Sequence, residues 1–278
     1  MCGELTESAF EALRHKDIFR YRAATIKSGQ VLEVEVYPLW NTKNEVRAAK
    51  VHSSREAQQN LNDRNAKKKL IRKINANFTP EDLHVTLTYK RGVLPEEEQA
   101  RRDIRNFIRR VRTYRRKNGL SELKYVYVIE FYNGDGRRTR VHHHVIMSGM
   151  DRKTVKSLWP HGSVRVDELE PEDGTLEGLA RYITKQPTKS KRWQASRNLK
   201  EPTITTADTK ISKRQAERMA QDMDAAAPMI FSKLFPEYDF DEVAVKSSKF
   251  VAGAYIYAKM HLKPEPPPRK TKKQKKRG

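Results

Sequence analysis

The chain has 278 residues with 37% apolar content, enough for one large domain or a medium domain with appendages around a single core. Its 57 Lys and Arg outweigh 35 Asp and Glu by +22, and the last sixteen residues (Lys263 to Gly278) hold only +7 of that, leaving +15 on the rest. A body that positive calls for a polyanion, with nucleic acid ahead of an anionic membrane surface. No apolar run reaches the ~18 residues that a membrane span needs, and no signal peptide is legible, so a cytoplasmic protein is expected. The single cysteine, Cys2, excludes an internal disulfide and a thiolate metal cluster.

In chain order, YRAATIKSGQVLEVEVY reads as a β-hairpin turning at Ser28-Gly29-Gln30, with Leu32, Val34 and Val36 alternating with Glu33 and Glu35. Ser53 to about Asn77 lacks Gly and Pro and is strongly charged. It reads as a largely solvated helix, capped by Ser53 or Ser54, with Leu61, Leu70, Ile71 and Ile74 sparsely placed. DLHVTLTYK (Asp82 to Lys90) alternates as a strand. Pro95-Glu96-Glu97-Glu98 opens a helix whose buried stripe is Ile104, Phe107, Ile108 and Val111, with eight arginines between Arg101 and Arg116; Asn118-Gly119 ends it. KYVYVIEFY, the turn NGDG and TRVHHHVIM form a second hairpin. Asp151 caps a short helix, SVRVDEL is a strand, and Gly174 to Gln186 is a helix stopped by Pro187.

This order predicts an α+β fold, an antiparallel central sheet with helices packed on one side. The expected domains are an N-terminal extension with the hairpin (1–45), a central domain (46–200), a C-terminal accessory region (201–262) and a disordered basic tail (263–278). Within the accessory region Ile211 to Met223 reads as helix and Phe250 to Met260 as strand.

The chemistry gathers on the second hairpin. Side chains alternate along a strand, so His142 and His144 share a face and His143 points the other way. If the turn centres on Gly136, Glu130 lies opposite His142, on the same side as the pair. Two imidazoles and a carboxylate suit a divalent ion that leaves positions open for substrate. The plainer alternative is a polar, solvent-exposed strand.

Downstream, LARYITKQP puts Tyr182 and Lys185 three apart on one helix face. A phenol becomes a useful nucleophile when a cation or metal favours its phenolate, and Lys185 is spaced to do that. Taken alone, such a pair is usually a core aromatic and a surface lysine.

HVTLTY, the His-x-His strand and Tyr-x-x-Lys resemble, in that order, the three motifs of HUH-superfamily rolling-circle replication initiators. The chain looks most like the single-tyrosine replication-associated proteins of bacterial phages, plasmids and integrated elements. The resemblance runs from about Tyr21 to Asn198 and includes YPLWN, KYVYVIE and KRWQASRNL. It departs from the pattern at His143, where the superfamily prefers an apolar residue.

The resemblance implies a ferredoxin/RRM-like endonuclease core over 46–200, with Mg²⁺ or Mn²⁺ held by His142, His144 and Glu130. Tyr182 would nick single-stranded DNA at a replication origin, giving a 5′-phosphotyrosine and a 3′-OH that primes synthesis, with Lys185 assisting and the strands later rejoined. Thr86 and Thr88 would line the site or touch DNA. Lys189, Lys191, Arg192, Trp193 and Arg197 would grip the single strand, and Arg109 with its neighbours would add phosphate contacts. A second protomer would serve termination. A host helicase and polymerase would be separate partners, since no P-loop pattern occurs. The competing readings are a non-catalytic basic DNA-binding regulator, a hydrolytic nuclease without a covalent adduct, and a relaxase or transposase using the same chemistry.

Overall fold

A computed structural model describes residues 18–40, 55–132, 137–171, 176–183, 193–248 and 251–264. It contains two five-stranded antiparallel sheets and six helices among the described residues. The strands are β1 (Ile18–Ser28), β2 (Val31–Trp40), β3 (Leu83–Thr88), β4 (Tyr125–Tyr132), β5 (Arg138–Met147), β6 (Val164–Glu168), β7 (Gln194–Ala195), β8 (Thr203–Ala207), β9 (Tyr238–Ser248) and β10 (Val251–Leu262). The helices are α1 (Arg55–Asn75), α2 (Glu97–Lys117), α3 (Arg152–Ser157), α4 (Glu177–Ile183), α5 (Lys213–Gln221) and α6 (Met223–Leu234). The expected α+β class and antiparallel pairing are both present.

The central sheet has the order β6-β3-β5-β4-β7, which puts the histidine strand in its middle. A middle strand needs cover on both sides, and the residues of β5 supply it. Val141, Val145 and Met147 join Leu87, Ile129, Ile104, Phe107 and Trp159 in one core at the back, under α2 and α3. Ile146 joins Val126, Val128, Leu70, Ile74 and Ala180 in another core at the front, under α1 and α4. Helices therefore flank the sheet on both faces, which corrects the expectation of one covered side. The cause is the apolar content of both faces of β4 and β5, which neither helix layer could bury alone.

The second sheet runs β8-β1-β2-β10-β9. The N-terminal hairpin and the C-terminal strands meet in it: Ala258 pairs with Val34, and Thr25 with Thr205. One face buries Tyr21, Leu32, Val34, Ile256 and Met260 against Met219 of α5 and Phe231 of α6. Its other face carries Glu33 and Glu35, which accept hydrogen bonds from Arg72 of α1 at 2.5 and 2.7 Å. Gly29, at φ +61, makes the β1–β2 turn. A Cβ there would stand 2.1 Å from the Asn75 carbonyl oxygen, so only glycine lets the hairpin reach the end of α1.

The helix read from Ile211 to Met223 is two helices. Ser212 and Gln215 form a capping box that starts α5, and Asp222 ends α5 while its carboxylate caps α6 through Ala225 N–H. The cap expected at Ser53 or Ser54, the NGDG turn and the basic tail from residue 265 lie outside the described residues. No helix among the described residues is long and apolar enough to cross a membrane.

Candidate functional site

The hairpin register brings the front-face residues together. Glu130 pairs with His142, Val128 with His144, Thr88 with His142 and Thr86 with His144. The Glu130–His142 pairing is the one predicted from a turn centred at Gly136. Between Glu130 and Tyr132 the register shifts, so the outermost pair is Tyr132 with Arg138. Counting from the turn therefore reaches the right pair across an irregularity that the count did not contain.

The histidines are not rim residues. His143 is fully buried and His144 is 6% exposed, while His142 is half-buried towards the open end of the face. This excludes the reading of a solvent-exposed polar strand. His144 Nδ1 lies 3.4 Å from Thr86 Oγ1, and its Nε2 lies 3.4 Å from Glu130 Oε2. When Nδ1–H donates to Thr86, the Nε2 lone pair faces the Glu130 side, the tautomer that a metal ligand needs. Burial holds the His142 imidazole below its ordinary pKa despite the pull of Glu130, so a neutral ring is favoured.

One resident of this face is absent from the sequence reading. His84 stacks on His144 with ring centres 5.6 Å apart and planes at 22°. Burial, then the neighbouring His144, pushes His84 down to about 4, so it is neutral near pH 7. Its Nε2 is buried with no hydrogen-bond partner among the described residues. The signal is present in the strand's alternation, which puts His84 in line with Thr86 and Thr88, but HVTLTY reads as scaffold.

His143 belongs to the back. It pairs laterally with Leu87 and Ile129, and its ring meets Trp159 edge-on at 5.3 Å. Its Nε2 lies 3.2 Å from the Tyr89 hydroxyl, which donates at 3.0 Å to the buried Asp103 carboxylate. With that hydrogen committed to Asp103, the hydroxyl oxygen accepts from His143 Nε2–H. Burial pushes His143 down to about 3, so the ring is a neutral packing element.

The donor chemistry at the front fits a divalent cation: two imidazoles that are neutral or placed to be so, and one carboxylate. The spacing is looser than coordination. The His142 and His144 rings stand 6.4 Å apart, and no three His, Cys, Asp or Glu side chains among the described residues are grouped to hold a metal.

The remaining predicted residues divide. Tyr182 lies near the end of α4, and α4 packs through Ala180 on the His142/His144 face, with Lys259 of β10 holding Glu177 at 2.6 Å. Lys185, Lys189, Lys191 and Arg192 lie outside the described residues. Thr88 donates to the Ser163 carbonyl at 3.2 Å and ties β3 to the turn before β6. Trp193 is half-buried against the front core, the packed reading of that residue, and Arg197 is exposed. Arg109 lies on α2, on the opposite side of the sheet from the His142/His144 pair.

No curated protein and no solved structure matches the chain. The family described as replication-associated protein ORF2 matches residues 82–190, from the start of β3 past the end of α4. That stretch contains the histidine hairpin, and DNA is the partner that such a family implies. By its central segment the chain is a member of this replication-associated family, consistent with a rolling-circle replication initiator.

Proposed function

We propose that the protein initiates replication by nicking single-stranded origin DNA through Tyr182 and later rejoining the strand. The phenolate oxygen of Tyr182 attacks the scissile phosphorus, and the bond from phosphorus to the 3′ oxygen breaks. The departing oxygen takes a proton from solvent and becomes the primer 3′-OH, while the 5′ end stays on the tyrosine. One phosphodiester replaces another, so reversal by an incoming 3′-OH needs no ATP. His142, His144 and Glu130 would hold Mg²⁺ or Mn²⁺, which when bound supplies Lewis-acid polarisation of a phosphoryl oxygen. Lys185 stays protonated and favours the phenolate. Thr86 positions the His144 ring, and the basic segment around Lys191, Arg192 and Arg197 receives the strand's phosphates.

The observation that carries this reading is a coincidence of placement. The helix containing Tyr182 packs on the same face of the sheet that presents His142, His144 and Glu130. The family match over the same residues supports it. One observation favours the rival, a DNA-binding regulator without catalysis: the three donors do not converge at coordination spacing.

The test uses a single-stranded origin oligonucleotide labelled at its 3′ end, with Mn²⁺. The label should migrate with the wild-type protein on a denaturing gel and with none of the Tyr182→Phe protein. Cleavage with no bound label overturns the tyrosine mechanism in favour of a hydrolytic nuclease. No cleavage of any origin candidate favours the regulator.

A further inference from the structure

We propose that α2 carries a second DNA-binding surface, a duplex-binding ridge on the side of the central sheet opposite the nicking face. The helix buries Ala100, Ile104, Phe107, Ile108 and Val111 against the sheet. On its outer side Arg102, Arg105, Arg109, Arg112 and Arg116 are all exposed. Their spacing of three, four, three and four residues keeps them in one stripe, and at ~1.5 Å per residue the stripe is about 21 Å long. Arg102 is partly neutralised by Glu98 at 3.2 Å, and the Arg112 guanidinium lies 5.4 Å over the Tyr125 ring. For Arg105, Arg109 and Arg116 no acidic partner occurs among the described residues, and from Ile104 to Lys117 the sequence has no acid at all.

Such a stripe works against the helix that bears it. Like charges three or four residues apart each destabilise a helix by roughly 0.2–0.5 kcal/mol, and a merely solvated face would mix signs. The unmixed ridge is explained by a polyanion that lies along it. Two features select duplex DNA. The ridge is straight and evenly charged, as suits a run of backbone phosphates. It also lacks a base-stacking platform of its own: the helix's two aromatics are Phe107, buried, and Tyr114, half-buried. Single-strand binders rely on exposed aromatic platforms, whereas a duplex stacks its bases internally and offers phosphate. The sheet then separates two tasks, holding the double-stranded flank at the back and processing the melted strand at the front.

The ridge rests on the proposed function for DNA as its polyanion but does not depend on Tyr182 chemistry, and the experiment keeps the two apart. Full-length Tyr182→Phe protein in EDTA is titrated against a fluorescent DNA duplex from 50 to 300 mM salt. The same background carrying Arg105→Gln, Arg109→Gln and Arg116→Gln is compared with Arg105→Lys, Arg109→Lys and Arg116→Lys. Loss of three phosphate contacts should flatten the slope of log K against log salt by about 2.7 and weaken duplex binding on the order of 10²-fold at 0.1 M salt. The lysine set should keep both within about twofold, and a single-stranded oligonucleotide should lose far less than the duplex. Thermal melting should be unchanged for both sets, because all three positions are exposed.

Unchanged duplex affinity and slope in the glutamine set overturns the ridge. So does a larger loss for double-stranded RNA or for anionic phosphatidylserine vesicles than for DNA. A ridge confirmed beside a wild-type protein that makes no covalent adduct leaves the ridge standing and removes only the nicking reading.

Discussion

Neighbouring histidines on β5 have opposite fates, and the two faces of the strand explain why. At the back, His143 is sealed under Trp159, its proton passed in a fixed relay through the Tyr89 hydroxyl towards Asp103. At the front, His142 is half-buried, and His144 sits between Thr86 and Glu130, beneath the helix layer that holds Tyr182. Both faces bury imidazole, so burial alone does not separate scaffold from chemistry. What separates them is whether the ring's polar atoms end in a closed chain or on a face with an open end.

The contrast collapses if replacing either kind of histidine gives the same phenotype. His142→Ala should lower cleavage on the order of 10²-fold or more while leaving the melting temperature almost unchanged, because the side chain is half-exposed. His143→Ala should do the reverse. Removing a buried ring and orphaning the Tyr89 hydroxyl should cost roughly 2–4 kcal/mol in denaturant unfolding, with cleavage per folded molecule falling less than tenfold. A smaller effect is expected at Thr86→Val, which keeps the shape of the side chain but releases the His144 ring. Divalent-ion affinity, followed by calorimetry, should fall about tenfold at unchanged stability.

The features legible in the sequence are those set locally. Alternation sorts His142 and His144 from His143, and a short hairpin lets register be counted from its turn to Glu130. The second sheet is not legible, because its pairings join Ala258 to Val34 and Thr25 to Thr205 across most of the chain. No local period reports such a partner. The strand β9, with Asp239, Asp241 and Glu242 among its residues, also lacks a strand-like alternation of apolar and polar residues. The cover on the front is underestimated for a related reason. α1 is mostly polar, yet Leu70 and Ile74 alone place it on the front core. His84 is passed over because a single imidazole in a β-branched strand carries no pattern until its neighbour across the sheet is known.

Everything proposed for catalysis turns on whether DNA is joined to protein at the front face of the sheet, through Tyr182. Mass spectrometry answers this on wild-type protein incubated with origin oligonucleotide and Mn²⁺, then digested with nuclease and trypsin. A nucleotide remnant is expected on the peptide containing Tyr182, absent when EDTA replaces Mn²⁺. A remnant on any other tyrosine, or cleaved DNA with no modified peptide, would contradict the Tyr182 assignment.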